Sequence, residues 1–224
     1  MNANPLDLDR LKVFPLEARR SLTNADDVLV DPDAPPAPCP PAVADRIAEC
    51  ARRIKRAREV GAGVILIYGA HLLRNGAAAI LARMMKQEWI THLATNGAGT
   101  IHDWEYAWLG RSTESVRANV PTGSFGSWDE TGRNIHLAIL AAALRGEGYG
   151  VGLGRFIAED GVELPSADDL EAAIRAEPGH PLTPARADAL LAIRAQRLPT
   201  GRITVEHRWK HASILAQAFQ HQVP

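Results

Sequence analysis

The sequence has no excess of charge of either sign. Its 224 residues include 25 lysines and arginines and 26 aspartates and glutamates, so the formal net charge is -1. A balanced chain has no broad electrostatic attraction for nucleic acid or for an acidic membrane surface. We therefore expect neither of these partners.

Long apolar runs are also missing. The longest runs, residues 62–70 and 137–144, are much shorter than the roughly 20 residues that span a bilayer. Residues 1–14 contain neither the charged region nor the apolar region of a secretory signal. These absences predict a soluble, cytoplasmic protein.

Cysteine is scarce, and its two positions are unrelated. Cys39 lies in a proline-rich run, and Cys50 lies in a helical pattern. Two such residues do not make a disulfide framework or a zinc site. We expect two structural thiols and no bound metal.

Proline is instead concentrated near the N-terminus. Six prolines fall in residues 31–42, which excludes a helix there and favours an extended segment. We predict that residues 1–41 form an extended arm, which lies over the domain or over a neighbouring molecule. Residues 42–224 then form a single α/β domain.

The pattern after the arm alternates between helix and strand. Apolar residues recur at helical spacing from Pro41, and residues 64–68 form the continuous apolar run of a strand covered on both faces. Residues 75–89 predict a helix capped by Asn75, and residues 90–95 predict a second strand. This order predicts a Rossmann-like parallel sheet flanked by helices.

The C-terminal third is predicted to contain extra helices. The pattern indicates them at residues 129–148, 166–177, 183–197 and 208–224. Ser166 and Thr183 are the expected N-caps of the second and third of these helices. The glycine-rich run at residues 148–154 follows a helix, so we interpret it as a flexible connection, with cofactor contact as the alternative.

Small and polar residues follow both predicted strands, at residues 69–76 and 96–103. In an open α/β sheet, ligands bind beyond the carboxyl ends of the strands, where helix N-termini offer free N–H groups. His71, His102 and Asp103 are therefore candidate site residues. A carboxylate at a helix start also suits the helix dipole, which explains Asp103 without a function.

Aromatic residues follow these turns. Trp104, Tyr106 and Trp108 alternate along the next predicted helix, so some of them are expected at a subunit interface or a ligand wall. Glu105, between them, fits a helix-start carboxylate as well as a ligand contact. Residues 117–133 have the composition of a ligand-covering loop, and an ordinary surface connection is the equal alternative.

The order of these features resembles a known family. Residues 64–110 resemble the NAD-binding core of deoxyhypusine synthase, in which a strand, a small-residue turn, a helix and a second strand precede an acidic helix start. The matching positions are Ala70, His71, Leu72, Gly76, Thr95, Asn96, Gly97, Ala98, His102, Asp103 and Glu105.

The resemblance implies a homotetramer that uses NAD to oxidise a polyamine or a related small amine. It also implies cofactor contacts from Ala70, His71, Gly76, Thr95, Asn96, Gly97 and Ala98. His102 and Asp103 would be catalytic residues beside the cofactor. A lysine of a protein substrate would accept the oxidised group.

The sequence also departs from this family. The family's catalytic lysine belongs to a later motif that this sequence does not contain. The lysines present are Lys12, Lys55, Lys86 and Lys210, and none lies in a comparable context. We therefore expect the chain to be incomplete at its C-terminus, and a non-catalytic assembly module is an alternative.

A further alternative is a metal-dependent phosphohydrolase of the HD type. His71, His102, Asp103 and Asp129 match its order of metal-binding side chains. That set normally lies in an all-helical domain, whereas two strands are predicted in this chain.

Overall fold

The computed structural model describes residues 11–224, which form a mixed α/β structure dominated by helices. The α-helices are α1 (Ala25–Val28), α2 (Pro41–Glu59), α3 (Ala70–Arg74), α4 (Ala78–Lys86), α5 (Gly97–Leu109), α6 (Val116–Asn119), α7 (Asp129–Leu144), α8 (Tyr149–Ala158), α9 (Ala167–Ala176), α10 (Thr183–Gln196) and α11 (Ile214–Gln220). The strands are β1 (Thr23–Asn24), β2 (Ile65–Ile67), β3 (His92–Ala94), β4 (Arg111–Ser112), β5 (Gly161–Leu164) and β6 (Gly201–Thr204). The prediction of an α/β fold is confirmed at this level.

The strands form three separate pairs. Strands β2 and β3 are parallel, whereas β1 pairs with β4 and β5 pairs with β6 in antiparallel fashion. The predicted wider parallel sheet is not found within residues 11–224. Helices α3 and α4 connect β2 to β3, so the predicted strand–helix–strand unit is present as a two-stranded version.

The prediction that the first strand is covered on both faces is wrong. The side chains of Ile65 and Ile67 are 63% and 79% exposed, whereas Leu66 and Leu93 pack against a buried apolar cluster. The reason is the narrow sheet, whose outer face is not covered by any element of residues 11–224. Periodicity detects the apolar run but not the number of layers around it.

The N-terminal arm is packed against the domain. Its described part contains a 3-10 helix, Leu16–Ala18, followed by β1 and α1. Leu16 is fully buried in the main apolar cluster, and β1 pairs with β4 through Thr23 and Ser112. Residues 1–10 of the predicted arm lie outside the described part.

Helix α2 begins at Pro41, as predicted, because proline suits the first helical position. None of its residues is buried. Two structural thiols were predicted, and Cys50 on this helix and Cys39 before it are both free and exposed. No helix within residues 11–224 has the length and apolar character needed to cross a membrane.

Asn75 ends a helix and does not begin one. Its side-chain amide donates a hydrogen bond of 2.8 Å to the His71 carbonyl oxygen, at the C-terminus of α3. Gly76 follows with a φ of +75°, which interrupts the helix. A Cβ atom at Gly76 would lie 1.7 Å from the Val28 carbonyl oxygen, so the arm approaches this glycine closely.

Helix α5 lies between the two largest apolar clusters. Trp104 belongs to the first cluster and Tyr106 to the second, and both are buried. Trp108 is half-buried and stacks on Trp104 with 5.3 Å between ring centroids. The expectation of exposed aromatic residues is therefore wrong, because this helix has a core on both sides.

The C-terminal helices follow their predicted caps closely. Ser166 and Asp169 form a reciprocal capping box at the start of α9. Leu182 occupies the N-cap position of α10, one residue before the predicted Thr183. The predicted helix over residues 208–224 is shorter, because Ser213 has extended backbone angles and separates a 3-10 turn from α11.

The glycine-rich run over residues 148–154 is the beginning of α8, so its interpretation as a flexible connection is wrong. A Cβ atom at Gly152 would lie 2.2 Å from that of Ala142 on α7. A Cβ atom at Gly154 would lie 2.5 Å from the Leu215 carbonyl oxygen on α11. These two glycines allow α8 to pack closely against both neighbouring helices.

Candidate functional site

A cavity of about 560 Å³ lies beyond the carboxyl end of β3. Helices α5 and α8 begin at its edge, and the last residues of the chain form the opposite side. We call it the strand-end cavity, and define it by its lining residues Leu93, Ala94, Thr95, Asn96, Gly97, Thr100, Gly148, Tyr149, Gly150, Val151, Leu215, Ala218, Phe219, Gln222, Val223 and Pro224. Its volume falls in the range of small-molecule sites.

Two helix N-termini meet at the strand-end cavity. Asn96 caps α5, because its side-chain oxygen accepts a hydrogen bond of 3.0 Å from the Gly99 backbone N–H. The hydroxyl groups of Thr100 and Tyr149 are 2.7 Å apart and join α5 to α8. Both N-termini present backbone N–H groups and the positive end of a helix dipole to this cavity.

Three glycines of the strand-end cavity have open space where a side chain would lie. A Cβ atom at Gly97, Gly148 or Gly150 would find no heavy atom within 4 Å. In α8 these open positions contrast with Gly152 and Gly154, where a Cβ atom would collide with a neighbouring helix. The open glycines leave bare backbone at the mouths of two helices, which allows a ligand to approach closely.

A second cavity, of about 350 Å³, lies beneath the N-terminal arm. We call it the arm cavity, and define it by its lining residues Arg19, Arg74, Ala98, Ile101, His102, Glu105, Glu114, Phe125, Trp128 and Thr131. Ala98 and Ile101 face the arm cavity, whereas Gly97 and Thr100 face the strand-end cavity. The first turn of α5 therefore separates the two cavities.

Glu105 is at the centre of a buried polar network in the arm cavity. Its oxygens Oε1 and Oε2 accept hydrogen bonds of 2.7 and 2.8 Å from the Arg19 guanidinium group. The hydroxyl groups of Ser112 and Thr131 donate further hydrogen bonds of 2.5 and 3.1 Å. Both partners of the ion pair are almost completely buried.

The environment of Glu105 keeps this carboxylate ionised. Burial alone would raise its pKa, but the nearby His102 ring, the hydrogen bonds from Arg19 and Ser112, and the Arg19 charge lower the pKa to about 2. An ionised carboxylate accepts hydrogen bonds and donates none. The hydrogen between Ser112 Oγ and Glu105 Oε2 therefore belongs to the serine.

This assignment determines which nitrogen of His102 carries a hydrogen in the neutral ring. His102 Nδ1 lies 2.6 Å from Ser112 Oγ, whose only hydrogen is directed at Glu105. Nδ1 must then be the donor to Ser112, and Nε2 is left as an acceptor. When the ring is protonated, its charge is stabilised by Glu105 Oε2, which is 3.6 Å from Nδ1.

Comparison of the chain with models of protein families, with curated proteins and with solved structures finds no match. Of the predicted site residues, Thr95, Asn96 and Gly97 line the strand-end cavity, and Ala98 and His102 line the arm cavity.

Ala70, His71 and Gly76 line neither cavity. Ala70 and His71 begin α3, which contacts α5. Gly69, just before them, is close to the second turn, since its Cβ position would lie 3.9 Å from the Asn96 amide nitrogen. The two predicted strand-end turns are thus adjacent, but only the second one faces the strand-end cavity.

Asp103 supports the fold and lines neither cavity. It is fully buried, and its carboxylate accepts hydrogen bonds from the Ser213 hydroxyl group and from the backbone N–H groups of Ile214 and Leu215, the latter two at 2.7 and 3.3 Å. Burial raises its pKa from 3.8 to about 7, although the three hydrogen bonds oppose this shift. The predicted catalytic carboxylate therefore holds the start of α11.

The raised pKa of Asp103 predicts a pH-dependent effect of Asp103→Asn. The folded protein binds a proton that the unfolded chain has already lost between pH 3.8 and 7, so the contribution of Asp103 to stability falls as the pH rises through this range. Relative to the wild type, the free energy of unfolding of Asp103→Asn should therefore increase from pH 3.8 to 7. Urea unfolding at a series of pH values measures this difference.

The wild type and Asp103→Asn must be compared at each pH, because the contribution of His207 to stability changes with pH in the opposite direction to that of Asp103. Burial lowers the pKa of His207 from 6.5 to about 4, so its contribution to stability is present above pH 6.5 and lost as the pH falls to 4. Both proteins contain His207, and its effect cancels in the difference. Parallel stability curves for wild type and variant would contradict the raised pKa of Asp103.

The structure does not bring together the side chains that the metal-binding alternative requires. Within residues 11–224 no group of three or more His, Cys, Asp or Glu side chains is arranged to hold a metal ion. Asp103 is committed to α11, and the Asp129 carboxylate pairs with Arg133 at 3.2 Å. His71 is exposed on α3 and lines neither cavity.

Sequence reasoning missed several residues of the two cavities. Arg19 is one of three arginines in the predicted arm, and its pairing with Glu105 spans 86 positions of the chain. Ser112 is positioned by the pairing of β4 with β1. The sequence did contain a signal for Tyr149 and Gly150, because a glycine-rich run at a helix start is one known form of a ligand-binding turn.

Proposed function

We propose that this chain is a deoxyhypusine synthase-like protein that binds NAD at the strand-end cavity and oxidises a small amine in the arm cavity. The single observation that supports it best is the meeting of two glycine-lined helix N-termini at the carboxyl end of a parallel strand. Nucleotide phosphates bind at such places because free backbone N–H groups and helix dipoles attract anions. The β2–β3 unit is the part of a Rossmann-like fold that the proposal requires.

The residues of the strand-end cavity fit a dinucleotide. Gly97, Gly148 and Gly150 offer close approach to the backbone, and the hydroxyl groups of Thr100 and Tyr149 offer hydrogen bonds. The two cavities lie on either side of the first turn of α5, since Gly97 and Ala98 line different ones. When bound, NAD accepts a hydride from a carbon atom next to nitrogen.

The arm cavity supplies the proton acceptor for this reaction. An ammonium group must lose a proton before the neighbouring carbon can lose a hydride, and His102 Nε2 accepts that proton. The resulting imidazolium ion is stabilised by Ser112 and Glu105. Loss of the hydride from the neutral amine then leaves an iminium ion as the product.

The proposal ends at oxidation of the amine. Neither cavity is lined by Lys12, Lys55, Lys86 or Lys210, and Lys210 Nζ bonds the Asp160 carboxylate at 2.5 Å. Transfer of the oxidised group through a lysine of this chain is therefore not part of the proposal.

The variant Gly150→Ala tests the NAD site without weakening the fold. Its methyl group would point into the strand-end cavity, whereas alanine is favoured over glycine in a helix by about 1 kcal/mol. We expect the melting temperature to stay the same or rise while the affinity for NAD falls. Calorimetric titration with NAD and a thermal melt measure the two effects.

Gly132→Ala is the matched control. Gly132 is also helical with open space at its Cβ position, but it lies in α7 and lines neither cavity. It should gain the same stability and bind NAD as the wild type does. Failure of the wild-type protein to bind NAD, or equal binding by Gly150→Ala, would contradict the proposed site.

A second candidate function is an assembly module, and one observation favours it. Helix α2 has no buried residue, and Ile65 and Ile67 form an uncovered apolar face on the neighbouring strand. Apolar surface of this kind is usually covered in the functional state. Sedimentation analysis of the wild type and of Ile67→Lys would show an oligomer that the charge disrupts, and a wild type that does not bind NAD would favour this function.

A further inference from the structure

The arm cavity has its own charge balance, which depends on four side chains. Glu105 is neutralised by the two hydrogen bonds from Arg19. Glu114 accepts hydrogen bonds from the Asn119 amide, the Gly126 backbone N–H and the Trp128 indole N–H. Both carboxylates of the lining are therefore committed to protein donors and have little capacity left for a cationic ligand.

Arg74 is the remaining charged side chain of the lining. It is the last residue of α3 and is exposed, and within residues 11–224 its guanidinium group has no ion pair or hydrogen-bonded side chain. The first turn of α5 adds to the positive potential, because Ala98 near its N-terminus lines the same cavity. The formal charges of the lining balance, with Arg19 and Arg74 against Glu105 and Glu114, and Arg74 is the one of these four side chains whose charged group has no partner within residues 11–224.

We propose that the ligand of the arm cavity carries a carboxylate, which Arg74 binds, and a nitrogen group that donates a hydrogen bond to His102 Nε2. A guanidinium group binds a carboxylate through paired hydrogen bonds. One arginine balances the single charge of a carboxylate, whereas a phosphate carries nearly two charges. The ligand class is a small amino acid and not a polyamine.

This inference depends on the proposed function only where the ligand is called a substrate. Binding of the carboxylate requires the arm cavity alone and is measured without NAD. Binding of NAD requires the strand-end cavity and is tested by Gly150→Ala. The two proposals can therefore fail separately.

Four compounds of the same chain length test the inference by calorimetry. They are 4-aminobutanoate, butanoate, butylamine and 1,4-diaminobutane, which present the carboxylate and the amine together, singly, or with a second amine in place of the carboxylate. We expect 4-aminobutanoate to bind most tightly, because it alone satisfies both Arg74 and His102. Butanoate should bind more weakly, and the two amines should bind most weakly.

The variant Arg74→Gln shows whether the carboxylate is bound at the proposed place. It should weaken 4-aminobutanoate and butanoate by about ten- to a hundredfold, the usual effect of losing a charge-assisted hydrogen bond, and leave butylamine unchanged. Arg117→Gln is the control, since Arg117 is exposed on α6 beside the cavity but does not line it. It should bind all four compounds as the wild type does.

Three results would overturn the inference. The first is tighter binding of 1,4-diaminobutane than of 4-aminobutanoate, which would identify a polyamine site. The second is equal binding of 4-aminobutanoate by Arg74→Gln and the wild type. The third is a wild-type protein that binds neither carboxylate.

Discussion

Arg19→Met should lower the free energy of unfolding by about 3–5 kcal/mol, the usual cost of removing one partner of a buried ion pair. Arg19 and Glu105 have side chains that are 2% and 1% exposed, so water does not replace the lost guanidinium group. The variant leaves Glu105 buried without its counter-charge. Urea unfolding at neutral pH measures the loss.

The pH dependence of this loss has a definite sign. The pKa of Glu105 is lowered from 4.5 to about 2, so its contribution to stability is present above pH 4.5 and is lost as the pH falls to 2. The difference between Arg19→Met and the wild type should therefore shrink in acid. A difference that stays constant down to the lowest accessible pH would contradict the buried ion pair as its cause.

Arg83→Met is the control for Arg19→Met, because it removes an ion pair of similar geometry that is exposed and not buried. Arg83 also binds a carboxylate of the N-terminal arm through two hydrogen bonds, of 2.9 and 2.8 Å to Asp33, but this pair is exposed. Exposed ion pairs contribute about 0–1 kcal/mol, so Arg83→Met should lower the free energy of unfolding by no more than this amount.

The double variant Arg19→Met with Glu105→Leu should recover part of the stability that Arg19→Met loses, because no buried charge remains.

Trp104→Ala should lower the free energy of unfolding by about 3–5 kcal/mol, because it opens a cavity in the largest apolar cluster. The Trp104 ring is fully buried, stacks on Trp108 and meets the edge of His207 at 6.2 Å between ring centroids. Urea unfolding followed by far-ultraviolet circular dichroism measures the loss.

Trp89→Ala is the control for Trp104→Ala. Trp89 is half-buried beyond the end of α4, and its indole N–H donates to the nearby Gln87 side chain. Its removal should cost clearly less than removal of Trp104. Equal losses would contradict the position of α5 between two apolar clusters.

The elements around the strand ends could be predicted because their signals are local. Pro41 begins α2 and Ser166 caps α9, as expected from their neighbours in the sequence. The parallel pairing of β2 with β3 also follows from an apolar run, a helical connection and a second apolar run. The helix starts depend on neighbouring residues, and the strand–helix–strand order depends on the changing period of the apolar pattern.

The roles of individual site residues could not be predicted in this way. Asp103 and Glu105 are two positions apart and both buried, yet one binds the start of α11 and the other binds the N-terminal arm. Gly150 and Gly152 are likewise two positions apart on α8, and only Gly150 faces a cavity. Which side of a helix meets which neighbour is decided by the packing of distant segments.

The sequence by itself determined the order of β2, the connecting helices and β3, the start of α2, the cap of α9 and the presence of small, polar turns after two strands. The tertiary structure alone decided that Arg19 joins Glu105 across 86 positions and that Asp103 reaches Ser213 across 110. It also decided that Nε2 is the acceptor nitrogen of the neutral His102 ring, because Ser112, on the strand that pairs with β1 of the arm, accepts the hydrogen of Nδ1. Caps and periods arise from neighbouring residues, whereas a buried polar network exists only after remote segments have excluded water around it.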